Sequence, residues 1–185
     1  MPIRRKLDRL PRKIVLNIAK FLFLEDIIYL SMTCKRLRRI LPIRLILGDK
    51  INECGPKTWE SWVPSTYFDT PTLTSSVSMA TISMNWKDQG WGVQKGKIWV
   101  QLIRPRKTGN TLKVVCENKE VLGVVPHKEQ FTIKILTSED PIINMARSGD
   151  HFRFMKNVGG GSWRWLMVEN FKLVLVSNIS MMISV

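Results

Sequence analysis

Three short stretches constrain this chain more than anything else in it, because each keeps a strict two-residue period. In "KIWVQLI" (97–103), Ile98, Val100 and Leu102 alternate with Trp99, Gln101 and Ile103. "FTIKI" (131–135) sets Phe131, Ile133 and Ile135 against Thr132 and Lys134, and "FKLVLV" (171–176) sets Phe171, Leu173 and Leu175 against Lys172. Successive side chains of a strand point to opposite faces, so this period predicts strands with two unlike sides. Turn-forming breaks at "PRKTGN", "VVPHKE" and "NVGGGS" separate the runs, and no helical pattern of ten residues intervenes. Strands joined without crossover helices predict antiparallel pairing, hence a β-sandwich or jelly roll over residues 77–185.

The first fifty residues follow a different period. Read as a helix, Leu10–Leu24 places Leu10, Ile14, Val15, Ile18, Phe21 and Leu22 on one stripe that Leu16, Ala19 and Phe23 extend. The apolar arc is then roughly twice the ~100° that an ordinary surface helix buries. Pro11 suits a helix start, where its missing N–H costs nothing. A second helical stretch begins near Glu25 and Asp26, whose acids favour the positive end of the helix dipole, and repeats Ile27, Leu30, Cys34, Leu37 and Leu41 at spacings of three and four. Residues 1–47 therefore read as a small helical module, giving an α+β chain overall. Residues 48–76 accumulate Gly, Pro, Ser and Thr and read as a connector; Trp59, Trp62, Tyr67 and Phe68 predict that it packs on the second domain.

Charge is unevenly placed. The net charge is +14, and residues 1–50 hold 13 of the 29 Lys and Arg but only 4 of the 15 acids. Such a bias favours an acidic protein or a nucleic acid as partner. Apolar runs such as "FLFL" and "IIYL" fall far short of a membrane span. The charges of "MPIRRKLDRLPRK" argue against a secretory signal, and the lack of Ser in the first 24 residues argues against a transit peptide. Cys34, Cys54 and Cys116 form no C-x-x-C pair, which fits a reducing cytoplasm or nucleus. His127 and His151 have no partners at metal-ligand spacing, so neither metal nor cofactor is expected. Cys116, a histidine and an acid could form a nucleophilic site in principle, but any folded domain holds such residues, and the chain reads as non-enzymatic.

Forty residues rarely bury an independent core without a disulfide, a metal or a partner. The excess apolar arc of the first helix therefore calls for a second protein. Leu10-Pro11, Ile14, Ile18, Leu22, Asp26, Leu30, Cys34-Lys35-Arg36 and Leu37 resemble the F-box, the helical module that docks on the Skp adaptor of SCF (Skp–cullin–F-box) ubiquitin ligases. The resemblance spans about Leu7 to Leu45. It departs at Arg12-Lys13, where the family often has an acid, and at Leu37, where it usually has Trp. What it implies is a substrate-receptor subunit with the Skp adaptor and a cullin as partners. Leu10, Pro11, Ile14, Ile18, Leu22, Asp26, Leu30, Cys34 and Leu37 would bind the adaptor, the later apolar positions among them being shared with the module's own core. The competing reading is a helical hairpin that simply caps the β domain.

In "WKDQGWGVQKGKIWVQL" (86–102), Asp88 and Gln89 lie between two tryptophans and near Gly90, Gly92 and Gly96. This is the pattern of a structured turn, and flat aromatics beside amide and carboxylate groups also suit a ligand. Trp86, Asp88, Gln89, Trp91 and Lys95 are the candidate target-binding residues. With "GGGSWRWLMVENF" the stretch is similar to β-sandwich modules found behind F-boxes, and to galactose-binding-like folds. The target is then a protein, glycosylated or bare. Two alternatives are a basic nucleic-acid-binding protein, from the charge of residues 1–50, and a cytosolic lectin-like module.

Overall fold

The structure is a computed structural model; it describes residues 10–19, 24–41, 43–54, 63–106, 112–159 and 163–177. Leu22, Phe21, Phe23, Trp59 and Trp62, all named above, lie outside the described residues.

Among the described residues three short helices precede the strands: α1 (Arg12–Ala19), α2 (Leu24–Thr33) and α3 (Lys35–Ile40). The Pro11 carbonyl accepts from the amides of Ile14 and Val15 at 3.0 and 3.2 Å, which starts α1 where the sequence places it. The apolar repeat from Ile27 to Leu41 reads as one helical stretch of either a hairpin or a three-helix unit, and the chain divides it at Cys34. That residue is extended (φ −156°, ψ 157°), and its Sγ accepts from the Leu37 amide at 3.3 Å, capping a new helix. Spacing alone cannot see such a break, because both helices direct their residues to one cluster. Val15, Leu16, Ala19, Ile27, Leu37, Ile40, Leu41 and Ile43 form that cluster. Arg36 Nη2 donates to the Leu10 carbonyl at 2.8 Å and ties the start of α1 to α3.

Nine antiparallel strands follow among the described residues: β1 (Ile43–Leu47), β2 (Ile51–Cys54), β3 (Ser65–Asp69), β4 (Val77–Lys87), β5 (Lys97–Pro105), β6 (Leu112–Asn118), β7 (Gln130–Thr137), β8 (His151–Asn157) and β9 (Trp165–Ser177). One sheet has the order β1-β9-β4-β7, with β2 also paired to β9; the other has the order β3-β8-β5-β6. From β2 onward the chain changes sheet at every step except the β5–β6 hairpin. One helical turn, α4 (Pro141–Asn144), separates β7 from β8, with the Asp140 side chain accepting from the Ile142 amide at 2.9 Å.

The main core lies between the sheets. Ala80, Ile82, Met84 and Trp86 of β4 and Leu166, Val168, Phe171, Leu173 and Leu175 of β9 meet Ile98, Val100 and Leu102 of β5 and Phe152 and Phe154 of β8. The two-residue period predicts these faces for β5 and β9. β7 keeps the period but turns it over: Phe131, Ile133 and Ile135 face outward, and only Leu136 is buried.

The stretch read as a connector contributes strands. β2 and β3 lie within residues 48–76 and β1 lies before them, so sheet formation begins at Ile43 rather than at residue 77. Tyr67 and Phe68 of β3 do pack on the core, where Phe68 stacks on Phe154 with centroids 4.9 Å apart and meets Phe171 edge-on at 5.3 Å. The helical cluster rests on the same fold, since Val174 and Val176 of β9 pack against it.

Candidate functional site

Two surfaces expose apolar side chains in a pattern. The first is on α1, whose apolar arc divides into two faces. Val15, Leu16 and Ala19 enter the helical cluster, while Ile14 and Ile18 remain 45% and 37% exposed beside exposed Pro11. The division explains the oversized arc: one face makes the core and the other meets solvent. Tyr29 of α2 is also exposed.

The positions expected at this surface have separate fates. Pro11, Ile14, Ile18 and Asp26 are exposed, and Leu10, Leu30 and Cys34 are half-buried against the cluster. Leu37, counted above with the partner-facing residues, is only 1% exposed. It is packing for the module, because the Cys34 cap turns α3 so that Leu37 points inward.

The second surface surrounds the turn between β4 and β5. Trp86 and Asp88, candidates for ligand contact, are buried and already occupied. Trp86 Nε1 donates to Thr132 Oγ1 at 2.8 Å. The Asp88 carboxylate accepts from the Gly90 amide at 2.7 Å and meets His127 Nδ1 at 2.8 and 2.9 Å. Gly90 and Gly92 adopt φ of +85° and +82°, the left-handed conformation that favours glycine. Gln89 is structural as well: Nε2 donates to the Trp91 carbonyl at 2.6 Å, and Oε1 accepts from the Trp165 amide at 3.2 Å.

These internal bonds fix what the turn displays. Gln89 links the backbones of Trp91 and Trp165, and the Arg164 guanidinium donates to the Val93 carbonyl. Trp91, Val93 and Trp165 are tied together by these bonds and leave 57%, 65% and 40% of their surface open, and Trp163, next to Arg164 in sequence, leaves 69%. Large exposed apolar side chains of this kind are candidates for partner contact. Trp163 and Trp165 are additions to the sequence-derived set. The signal for them was the "SWRW" pair, which reads equally well as the foot of a strand.

Lys95 continues this surface into a cleft. Added Cβ atoms show the proximity, since one on Gly159 would lie 2.9 Å from both Arg164 Cδ and Lys95 Cβ. The cleft has a volume of about 210 Å³, and its lining includes Lys95, Lys97, Trp99, Lys119, Glu120 and Asn157. Lys97 Nζ lies 2.8 Å from Glu120, and Lys119 Nζ lies 3.4 Å from Glu117. Burial alone would raise the Glu117 carboxyl, but hydrogen bonds from Gln101, Trp99 and Lys119 hold it below its ordinary range.

Among the described residues no group of three or more His, Cys, Asp and Glu is placed to hold a metal, and no helix is long and apolar enough to cross a membrane. Residues 7–44 match the family model of the F-box domain. No curated protein matches the chain. Among solved structures, the structure of infectious bursal disease virus Gx strain is 10% identical over 72% of this chain and 32% of that one, with a TM-score of 0.42. The CBM22-1 xylan-binding domain of Xyn10C from Paenibacillus barcinonensis is 9% identical over 74% and 83%, with a TM-score of 0.37. Eiger TNF from S. frugiperda is 9% identical over 74% and 92%, with a TM-score of 0.36. The chain thus spans about a third of the viral protein, and likenesses this distant carry no argument about function.

Proposed function

From the F-box domain that this chain carries at residues 7–44, we propose that it is a non-catalytic substrate receptor of an SCF-type ubiquitin ligase. The helical module docks on the Skp adaptor, a cullin joins through that adaptor, and the sheet body presents a target protein. The observation that carries the reading is the divided apolar surface of α1. A helix used only to cap the β domain would bury its apolar side chains there, whereas Ile14 and Ile18 stay open beside Pro11 with the fold complete beneath them.

In this reading residues 1–47 are the adaptor module, 48–76 join it to the body while lending strands to it, and 77–185 carry the target surface. The body is a jelly roll, supported by its sheet orders and by a chain path that alternates between the sheets. Target contact falls to Trp91, Trp163 and Trp165, with Lys95 at their margin and Gln89 as the positioning residue. The workplace of such a receptor is the cytoplasm or nucleus. Co-expression with the Skp adaptor tests the role directly: the adaptor and a cullin co-purify with the wild-type chain, and failure of the adaptor to bind at micromolar concentration refutes it.

A further inference from the structure

We infer that the free edge of β7 takes up an extended segment of another protein as an added antiparallel strand, one that alternates apolar with polar residues and sets an acid opposite Lys134. β7 pairs with β4 on one side and with no strand on the other among the described residues. Alternate residues of a strand send their N–H and C=O to the same neighbour, so this outer side offers a row of unpaired donors and acceptors. The same eight residues carry Phe131, Ile133 and Ile135 in a line on the outward face, 62%, 57% and 55% exposed. Backbone bonds to an added strand would supply affinity, and the apolar line would select its side chains. This surface stands on the sheet itself and does not depend on the receptor reading.

The other edges of the two sheets are blunted, and β7 is not. β3 holds an extra residue, Tyr67, between the pairs Thr66↔Met155 and Phe68↔Phe154, and β6 holds Val115 between Leu102↔Cys116 and Ile103↔Val114; both are bulges. The edge opposite β7 is divided between β1, of five residues, and β2, of four. β7 instead runs along β4 from Met79↔Thr137 to Trp86↔Gln130 without a shift of register. Bulges and short strands are ordinary protections of an edge, and an apolar strand that lacks them invites pairing. Lys134 decides between occupants. It is exposed, alternates with the apolar line and makes no ion pair among the described residues. Two copies of β7 paired about Ile133, the register that matches their apolar lines, would set each Lys134 diagonal to the other, between chains of net charge +14. A foreign strand with an acid opposite Lys134 replaces that repulsion with attraction.

The test uses the full chain and fluorescein-labelled synthetic peptides, read by fluorescence polarisation. The peptide GSGVEVTVGSG is expected to bind, and GSGVKVTVGSG and GSGSESTSGSG to bind at least about tenfold more weakly, a difference of ~1.4 kcal/mol. Methylating the amide nitrogens of one alternate set in the central five residues should abolish binding, and methylating the other set should leave it within about threefold, because only one set faces β7. The variant Lys134→Glu should reverse the preference, binding the lysine peptide about tenfold more tightly than the glutamate peptide. The double variant Ile133→Thr/Ile135→Thr should weaken the glutamate peptide by about fivefold or more with the thermal midpoint unchanged, since these are surface side chains. No binding up to about 1 mM, equal binding of the glutamate and lysine peptides, indifference to which amides are methylated, or indifference to the variants overturns the inference. So does a wild-type dimer in sedimentation that Ile133→Thr/Ile135→Thr dissolves, which would give the edge to a second copy of this chain.

Discussion

Ile14 and Leu37 are aliphatic residues of one small module, yet they have opposite surroundings. Leu37 is enclosed by the helical cluster, so Leu37→Ala should cost about 2–5 kcal/mol of folding stability, read by urea unfolding. Ile14 is 45% exposed, so Ile14→Ala should change the stability of the isolated chain by about 0.5 kcal/mol or less while weakening the adaptor complex about tenfold. A large stability loss at Ile14 with no effect on the adaptor would return α1 to the role of a cap. Asp69 offers a different kind of test. Hydrogen bonds from Arg153, at 2.8 Å from Nε and Nη2, lower its carboxyl pKa against the opposing effect of burial, and His151 Nε2 lies 3.7 Å away. A carboxylate with a lowered folded-state pKa stabilises the fold above its unfolded value, near pH 4, and loses that contribution as pH falls through the folded value. Asp69→Asn should therefore be less stable at neutral pH and lose less between about pH 4 and pH 2, as measured by chemical denaturation at each pH.

At the scale of the element, period alone does not say which face of a strand is inside. β4 and β7 pair in register from Met79↔Thr137 to Trp86↔Gln130, and Ile82 of β4 is fully buried while Ile133 of β7 is 57% exposed. Ile82→Ala should then cost about 2–5 kcal/mol, and Ile133→Thr about 0.5 kcal/mol or less; comparable losses would mean that β7 packs on something. This contrast marks what was legible in the sequence. Inward faces of β5 and β9 could be read because their apolar sets sit in strands paired on both sides. β7 misled because it is an edge strand: of Thr132, Lys134 and Leu136, which alternate with its apolar set, Leu136 is buried, Thr132 half-buried and Lys134 exposed. The strands within 43–69 were hidden by turn-rich composition and depend on partners far along the chain, as in Ile51↔Val168 and Asp69↔Arg153. The α1 surface was legible in outline, since an arc too wide for one face demands two. The tryptophan surface was half legible: Trp91 stood out, but only the Gln89 bridge brings Trp165 beside it.

At the scale of the whole molecule, the helical module is continuous with the sheet. β1 begins at Ile43, just past the end of α3, and its five residues all pair with β9, while Ile43 sits in the helical cluster that Val174 and Val176 pack against. Inserting a Gly-Ser run after Leu41 should leave adaptor binding and peptide binding each within about twofold of wild type, because both surfaces keep their own supports. Ubiquitin transfer to a bound target should nevertheless fall in a reconstituted ligase. A flexible leash lets its cargo sample many positions and lowers the local concentration of each. On the receptor reading, a strand that both follows the helical module and edges the sheet of the target-holding body would work instead as a bracket. Which lysines of a target receive ubiquitin would then be decided by reach, measured from α1 across the sheets to the tryptophans, and a target whose lysines fall outside that span would be held without being marked.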